Sequence, residues 1–558
     1  MTARLLRIAA LSCLCLLMLA GPRTGRCATL QENPPWPESA PSARATALCP
    51  SLENILEFQH EKNGNSADKQ LLQRALAHLR PTEPLPRLEI LNPLPHGVYP
   101  RDAAAPRIVW ETFEEGSGPW LVEILLPDGA WATVLTGAPQ WTPDVTLWET
   151  IRERSQGGEC RLTVTLLDAE GKPLAQGRSF FGVSSDALDA AIFYQQIPLP
   201  FLFAQDHPEL TRWLVADPAS PEPPRVVLGG LRHCGNCHTF SGDAATFGMD
   251  IDYYKDKGGY VFMPVAEQML VGQGEMFSWN DYRPEDGVVS MGLFTKISPD
   301  GAHAVTTVKE KSMFSPLDDV EFCQFFFPIR GHLACFSRRD RSIRPLPGAD
   351  SPDFVQTSPA WSPDGKRIVF ARAPLDQRLI EAMGDRKFLP AGEDRIEDFN
   401  ERYPYRYDLY VLDFNGGQGG KARALAGASD NGMSNYFPRF SPNGRWVVFC
   451  RSETGLVLQP SSELWIVPAE GGEARRLECN TDLLNSWHSF SPNGRWLLFS
   501  SKQNTPFTEV LAAHLDENGH AARPVVLDRL SHPERASIIP EAVDRSALRI
   551  QRIELARP

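Results

Sequence analysis

From residue 231 onward the chain repeats one short pattern: an apolar residue, then Ser-Pro-Asp/Asn-Gly, then an apolar run. Four copies spell it fully: "KISPDGAHAVTTV", "AWSPDGKRIVFAR", "RFSPNGRWVVFCR" and "SFSPNGRWLLFSS". An earlier fifth, "HTFSGDAATFGMD", is degenerate, and the marker residues are Phe240, Ile297, Trp361, Phe440 and Phe490. Proline fixes φ at the first corner of a tight turn, and glycine supplies positive φ at its end. The apolar run after it predicts a strand buried on both faces. A second strand pair follows each copy, most visibly in "ELWIVPAEGGEARRLE" and "YDLYVLDFNGGQGGKARAL". Four-stranded units recurring at intervals of 50 to 79 residues predict an all-β fold with a β-propeller of five to six blades over 231–558.

Upstream the period changes. Between 85 and 183 the runs "RIVWETF", "PWLVEILL", "AWATVLTG", "CRLTVTLL" and "GRSFFGVS" alternate with Gly, Pro and Asp turns. About a hundred residues of this kind predict an immunoglobulin-like or fibronectin-III-like sandwich. Residues 184–230 read as a connector. Residues 29–84 combine a Pro-rich tether, "ENPPWPESAPSA", with one or two short amphipathic helices over 51–80. The charged stretch "EAMGDRKFLPAGEDRIEDFNERYPYRYD" reads as a solvated insertion in the third copy, near a channel mouth.

The first 28 residues carry arginines and then an apolar stretch from Ile8 to Ala20, the layout of a secretory signal. Cleavage near Ala20 or Ala28 fits, and Cys13 and Cys15 keep a lipid anchor open. This places the mature protein in a bacterial periplasm, touching membrane only through the signal or such an anchor. A net charge of −13 and the absence of basic runs exclude a nucleic-acid surface. Beyond the signal, Cys27 and the pair discussed next, Cys49, Cys160, Cys323, Cys335, Cys450 and Cys479 are either disulfide partners or buried thiols.

The pair is Cys234 and Cys237, in the pentapeptide Cys234-Gly235-Asn236-Cys237-His238. Two thiols at this spacing can add to the two vinyl groups of haem while the adjacent imidazole reaches the iron. At this composition chance supplies the pentapeptide about 0.005 times per chain. The expected cofactor is therefore one covalent haem c, with His238 as proximal ligand. A thioredoxin-type redox pair, a plain disulfide and a zinc site are the rivals. In the repeat register His488 stands where His238 does, two residues before the marker, so it is the first distal candidate. Met433 is the second; Met249 and His233 rank lower. "MDIDYYKDKGG" (Asp250, Asp252, Asp256) misses the calcium-loop pattern. Common hydrolase, zinc-protease and nucleotide-binding signatures are absent from the sequence.

The five copies, and above all the run from "NGMSNYFPRFSPNGRWVVFC" to "NSWHSFSPNGRWLLFSSK", resemble the TolB-like, WD40-like propeller repeats. The resemblance covers roughly 85–558 and extends to secreted bacterial propellers with a CxxCH motif ahead of the first blade and a sandwich domain before it. The haem pentapeptide on such a propeller leads to an expected role in electron transfer or redox chemistry at the propeller channel, with a redox partner or envelope protein. The alternative is a non-catalytic propeller that binds a protein or envelope polymer, its cysteine pair a disulfide. Whether the protein is an enzyme stays open at this point.

Overall fold

The computed structural model describes residues 55–60, 66–77, 85–111, 118–252, 256–316, 320, 324–386, 388–390, 396–456 and 459–556. The signal segment, the Pro-rich run of the tether, and Cys13, Cys15, Cys27, Cys49 and Cys323 lie outside them. The described part of 51–80 contains a strand, Ile55–His60, and one helix, Ser66–Ala77.

Each of the five sequence copies opens a four-stranded antiparallel blade. The inner strands are Gly235–Phe240, Leu293–Ile297, Phe354–Trp361, Ser434–Phe440 and Asn485–Phe490. The repeated turn is built identically five times. The serine hydroxyl accepts the amide of the residue five places on, at 2.9–3.0 Å (Thr246, His303, Arg367, Trp446, Trp496). It donates to the Asp or Asn two places on, at 2.5–2.7 Å. Gly301, Gly365, Gly444 and Gly494 close the turn at φ of 68 to 70°. A Cβ on Gly444 meets only Pro363 Cδ, at 4.0 Å. Gly444→Ala should therefore lower stability by about 1 kcal/mol through backbone strain alone, read from thermal melting.

A sixth blade carries no such marker. Its outer strands, Ala191–Pro198, Arg212–Ala216 and Arg225–Gly229, come from the stretch read as a connector. Its inner strand is Arg535–Val543, near the other end of the chain. The two parts pair antiparallel from Ala191↔Val543 to Pro198↔Arg535. Arg535–Val543 packs beside the inner strands of the first and fifth blades, so the ring closes with six. The connector reading is thus corrected: 191–229 holds apolar runs buried on both faces as blade strands are, but its turns lack the Ser-Pro-Asp-Gly signature.

The insertion of the third blade is more ordered than a solvated excursion. It forms helices Gln377–Met383 and Ile396–Arg402, and Phe388–Pro390 pairs in parallel with the second blade's long strand His303–Pro316. Leu379 and Met383 are fully buried in the largest core cluster.

Residues 85–183 form a three-stranded antiparallel sheet and five strands of a six-stranded mixed sheet, whose sixth strand is Ile55–His60, paired in parallel with Trp131–Thr136. The two share a core, with Trp110 edge-on to Trp120 at 5.6 Å, and the helix Val145–Arg154 buries Leu147, Trp148 and Ile151. The same core continues into the fifth and closing blades through Trp496, Leu498, Tyr194 and Leu214. Asp186 fastens the joint, accepting from Arg495 Nε at 2.8 Å and lying 2.7 Å from His514 Nε2.

Glu123, on the strand Trp120–Leu125, is 4% exposed, and burial raises its carboxyl from 4.5 to about 7, against the pull of Arg161 and Arg178. The folded state thus holds this proton more tightly than the unfolded chain. Its stabilisation is full below about 4.5 and is lost as pH rises to about 7, a span worth up to about 3 kcal/mol. Glu123→Gln removes this titration, so the wild-type-minus-variant stability difference should fall by up to about 3 kcal/mol as pH rises across that window, measured by denaturant titration.

Candidate functional site

All six inner strands carry a bulge where the ladder slips by a residue, one position earlier in the first blade than in the four other marked blades. A bulge re-aims a side chain, and here it turns one residue per blade toward the axis. The six are Cys237, Phe294, Ser358, Phe437, Trp487 and Ile539, and together they line a cavity of about 510 Å³, its open end included. Five of them lie in the left-handed region, at φ of 61, 54, 48, 54 and 52° from Phe294 to Ile539. For bulky and β-branched residues that conformation is costly and persists where surrounding structure imposes it, a feature that clusters at functional sites. Cys237 takes the first blade's place without the positive φ.

The aromatic side of the cavity is continuous: Phe294 meets Phe437 edge-on at 5.1 Å, and Phe437 stacks on Trp487 at 4.8 Å. Lys296, Arg439, His488 and Glu541 also line it. Burial, and after it the nearby Arg439, lowers the Lys296 ammonium to about 8.

The pentapeptide lies on the first inner strand, and its three chemical groups point to three places. Cys234 is exposed at the strand's start. Cys237 is half-buried on the cavity wall. His238 is wholly buried in the seam against the closing blade, its Nε2 3.2 Å from the carbonyl oxygen of Phe193 and its ring 4.7 Å from the Phe193 ring. Gly235 is required where it stands, because a Cβ there meets the Trp213 ring at 2.6 Å. The two thiols fit a covalent haem in being free and three residues apart on an accessible strand. The imidazole, in this packing, does not fit an iron ligand, since Nε2 already faces a carbonyl and Nδ1 is buried without a partner.

His488 shows what the shared register means. Its Nε2 lies 3.0 Å from the carbonyl oxygen of Val448, on the second strand of the preceding blade, just as His238 addresses Phe193. The equivalence is a seam contact repeated in two blades. Burial pushes His238 down to about 4 and His488 to about 3, so both stay neutral. The closing blade stands between the first and fifth, so the two histidines are not neighbours across a five-bladed ring. His488→Ala should cost about 2 kcal/mol, because it leaves the Val448 carbonyl buried and unpaired.

Met433 precedes the fourth inner strand, its amide bonded to Asn431 Oδ1 at 3.0 Å, and the cavity lining does not include it. Met249 is buried core opposite His238 in the ladder, and His233 is exposed. The acidic trio is dispersed as well. Asp250 is buried and accepts from Thr295 Oγ1 at 3.0 Å, while Asp256 takes Asn280 Nδ2 at 2.6 Å.

The six described cysteines, Cys160, Cys234, Cys237, Cys335, Cys450 and Cys479, are all free. Burial first, and Asp250 second, push the Cys237 thiol up to about 12, the opposite of the lowered value a thiol-exchange nucleophile needs. Among the described residues no group of three or more His, Cys, Asp or Glu is arranged to hold a metal ion. No described helix is long and apolar enough to cross a membrane.

The sequence copies held an unread signal. Aligned on the marker, the column three residues before it reads Cys237, Phe294, Ser358, Phe437, Trp487, and these are the cavity residues. The column one residue before it contains Lys296 and Arg439.

No protein-family model matches the chain, and no curated protein matches its sequence. Solved structures similar to it include TolB from Acinetobacter baumannii, at 14% identity over 69% of this chain and 79% of that one, with a TM-score of 0.38. A putative TolB from Agrobacterium tumefaciens matches at 16% identity over 61% and 88%, TM-score 0.33. Oligogalacturonate lyase from Vibrio parahaemolyticus matches at 12% over 55% and 69%, TM-score 0.33. The chain is an all-β protein built on a β-propeller, with TolB proteins among its structural neighbours.

Proposed function

We propose that the protein is a periplasmic propeller carrying one haem c, joined through Cys234 and Cys237, for electron transfer or redox chemistry at the central cavity. One observation carries this reading: Cys237 of the pentapeptide occupies the first blade's position in the ring that lines the cavity. Bound there, the haem supplies a one-electron carrier. The chain itself supplies two free thiols, an aromatic wall in which Phe437 stacks on Trp487 with Phe294 edge-on beside them, and a low-dielectric enclosure. Assigned from sequence as the proximal ligand, His238 serves the seam in this packing, as His488 does in its own.

That engagement of His238 favours a second reading, a non-catalytic propeller that binds its ligand in the same cavity without haem. Expression with the haem-attachment machinery separates the two. The first predicts a Soret band and a mass gain of one haem that survive denaturation, both lost in Cys234→Ala/Cys237→Ala. Colourless protein of unmodified mass would leave the second. In haem-loaded protein, His488→Ala should leave the visible spectrum in place; a shifted spectrum would return His488 to the iron.

A further inference from the structure

Two residues after each cavity-ring position, the inner strands present a second layer toward the axis. Around the ring it runs Glu541, Thr239, Lys296, Ala360, Arg439, Ser489. Charged side chains thus stand on alternate blades, with small residues between them. All three charged residues line the cavity. Each is a whole blade from the next, and among the described residues neither the Lys296 ammonium nor the Arg439 guanidinium has an ion-pair or hydrogen-bond partner. Glu541 is 8% exposed, and its Oε2 is buried with no partner. The indole Nε1 of Trp487, on the wall above, is likewise buried and unpartnered.

The buried Glu541 oxygen loses hydration that no protein partner replaces, and the half-buried Lys296 and Arg439 face the cavity without a counter-ion in contact. With small residues at Thr239, Ala360 and Ser489 between them, the three groups form no ion pair with one another, although Glu541 and Arg439 both act on Lys296 through the cavity. Two cations and one carboxylate leave a net positive floor under an aromatic wall. The complementary occupant has an anionic end for Lys296 and Arg439, a flat body for Phe437 and Trp487, and a hydrogen-bond donor for Glu541.

We propose that the central cavity is a binding site for a planar carboxylate, its carboxylate held between Lys296 and Arg439 and a hydroxyl or ammonium group donating to Glu541. The carboxylate for Lys296 and Arg439 has two sources, a propionate of a haem attached at Cys237 or a free aromatic carboxylate, and of the two the free ligand also carries the donor for Glu541. The site consists of the chain's own side chains and stands whether or not haem is attached.

The test uses the full chain, prepared with and without the haem-attachment machinery, and p-hydroxybenzoate as the probe in isothermal titration calorimetry. The haem-free chain should bind it. The neutral p-hydroxybenzamide should bind at least about ten-fold more weakly, and Lys296→Met and Arg439→Met should each weaken p-hydroxybenzoate about ten-fold or more. Lys296→Arg should retain binding, which separates loss of charge from misfolding. Binding that disappears when haem is attached assigns the floor to propionates; binding in both forms assigns it to a free ligand. The proposal is overturned by a haem-free chain that binds no p-hydroxybenzoate. It is equally overturned by binding that Lys296→Met and Arg439→Met leave unchanged.

Discussion

Removing residues 534–558 is expected to abolish the cooperative unfolding transition of the propeller. The lost segment includes Arg535–Val543, the inner strand of the closing blade, and with it the only ladder partner on that side of Ala191–Pro198. Buried bonds to the fifth blade go with it: Ser489 Oγ donates to Pro540 O at 2.7 Å, and Thr508 Oγ1 to Ser537 O at 2.9 Å. Their loss leaves the Ser489 and Thr508 hydroxyls and one ladder edge of Ala191–Pro198 without partners and opens apolar faces of two blades to water. The strand Arg552–Leu555, paired in parallel with Gln268–Val271, is lost as well. Circular dichroism should show a broad melt in place of a sharp one, and limited proteolysis should cut the open seam. A synthetic 534–558 peptide added in trans should restore protection. A truncated chain that melts as sharply as the intact one would show that the ring does not depend on this closure.

Phe193→Ala is expected to cost 3 to 5 kcal/mol, the range of a fully buried aromatic truncated to alanine. Phe193 has no exposed surface and sits at the centre of the seam between the closing and first blades. Its ring meets His238 at 4.7 Å, Phe240 at 5.3 Å and Phe247 at 5.5 Å. The carbonyl that faces His238 belongs to the backbone and survives the substitution, so the loss is one of packing. A loosened seam should also speed the reaction of Cys237 with a thiol reagent, whereas exposed Cys234 should react at its former rate. Phe193→Leu, which keeps most of the volume, should cost less than about 1.5 kcal/mol. Equal losses for Ala and Leu would point to the ring's geometry rather than to the volume it fills.

Five of the six blades were legible in the sequence because each depends on a turn that few residues can make. Serine, proline and glycine at fixed spacing are the backbone geometry written out. The closing blade was illegible because its strands come from either side of the five marked copies, 191–229 before them and 535–543 after, and none of its turns needs that spelling. The cavity ring was hidden for another reason. Phe294, Phe437, Trp487 and Ile539 adopt positive φ, which no local propensity assigns to such residues; only the closed ring imposes it. The His238–His488 correspondence was read correctly as register, but register alone could not say whether the imidazoles face the axis or the seam. Lys296, Arg439 and Glu541 were overlooked because isolated charges on strands normally face water.

The closure also sets an order of events in time. Gln196 and Ser537, hydrogen-bonded in the closing blade, lie 341 positions apart, and a contact of that separation forms late. Until Arg535–Val543 arrives, the strand bearing the pentapeptide has an open flank, with Cys237 not yet walled in and His238 not yet locked against Phe193. A biosynthetic reaction that must grip both thiols and the imidazole together therefore has its window while the chain is emerging and unclosed. For the haem attachment proposed above, the last strand to arrive would set the time available.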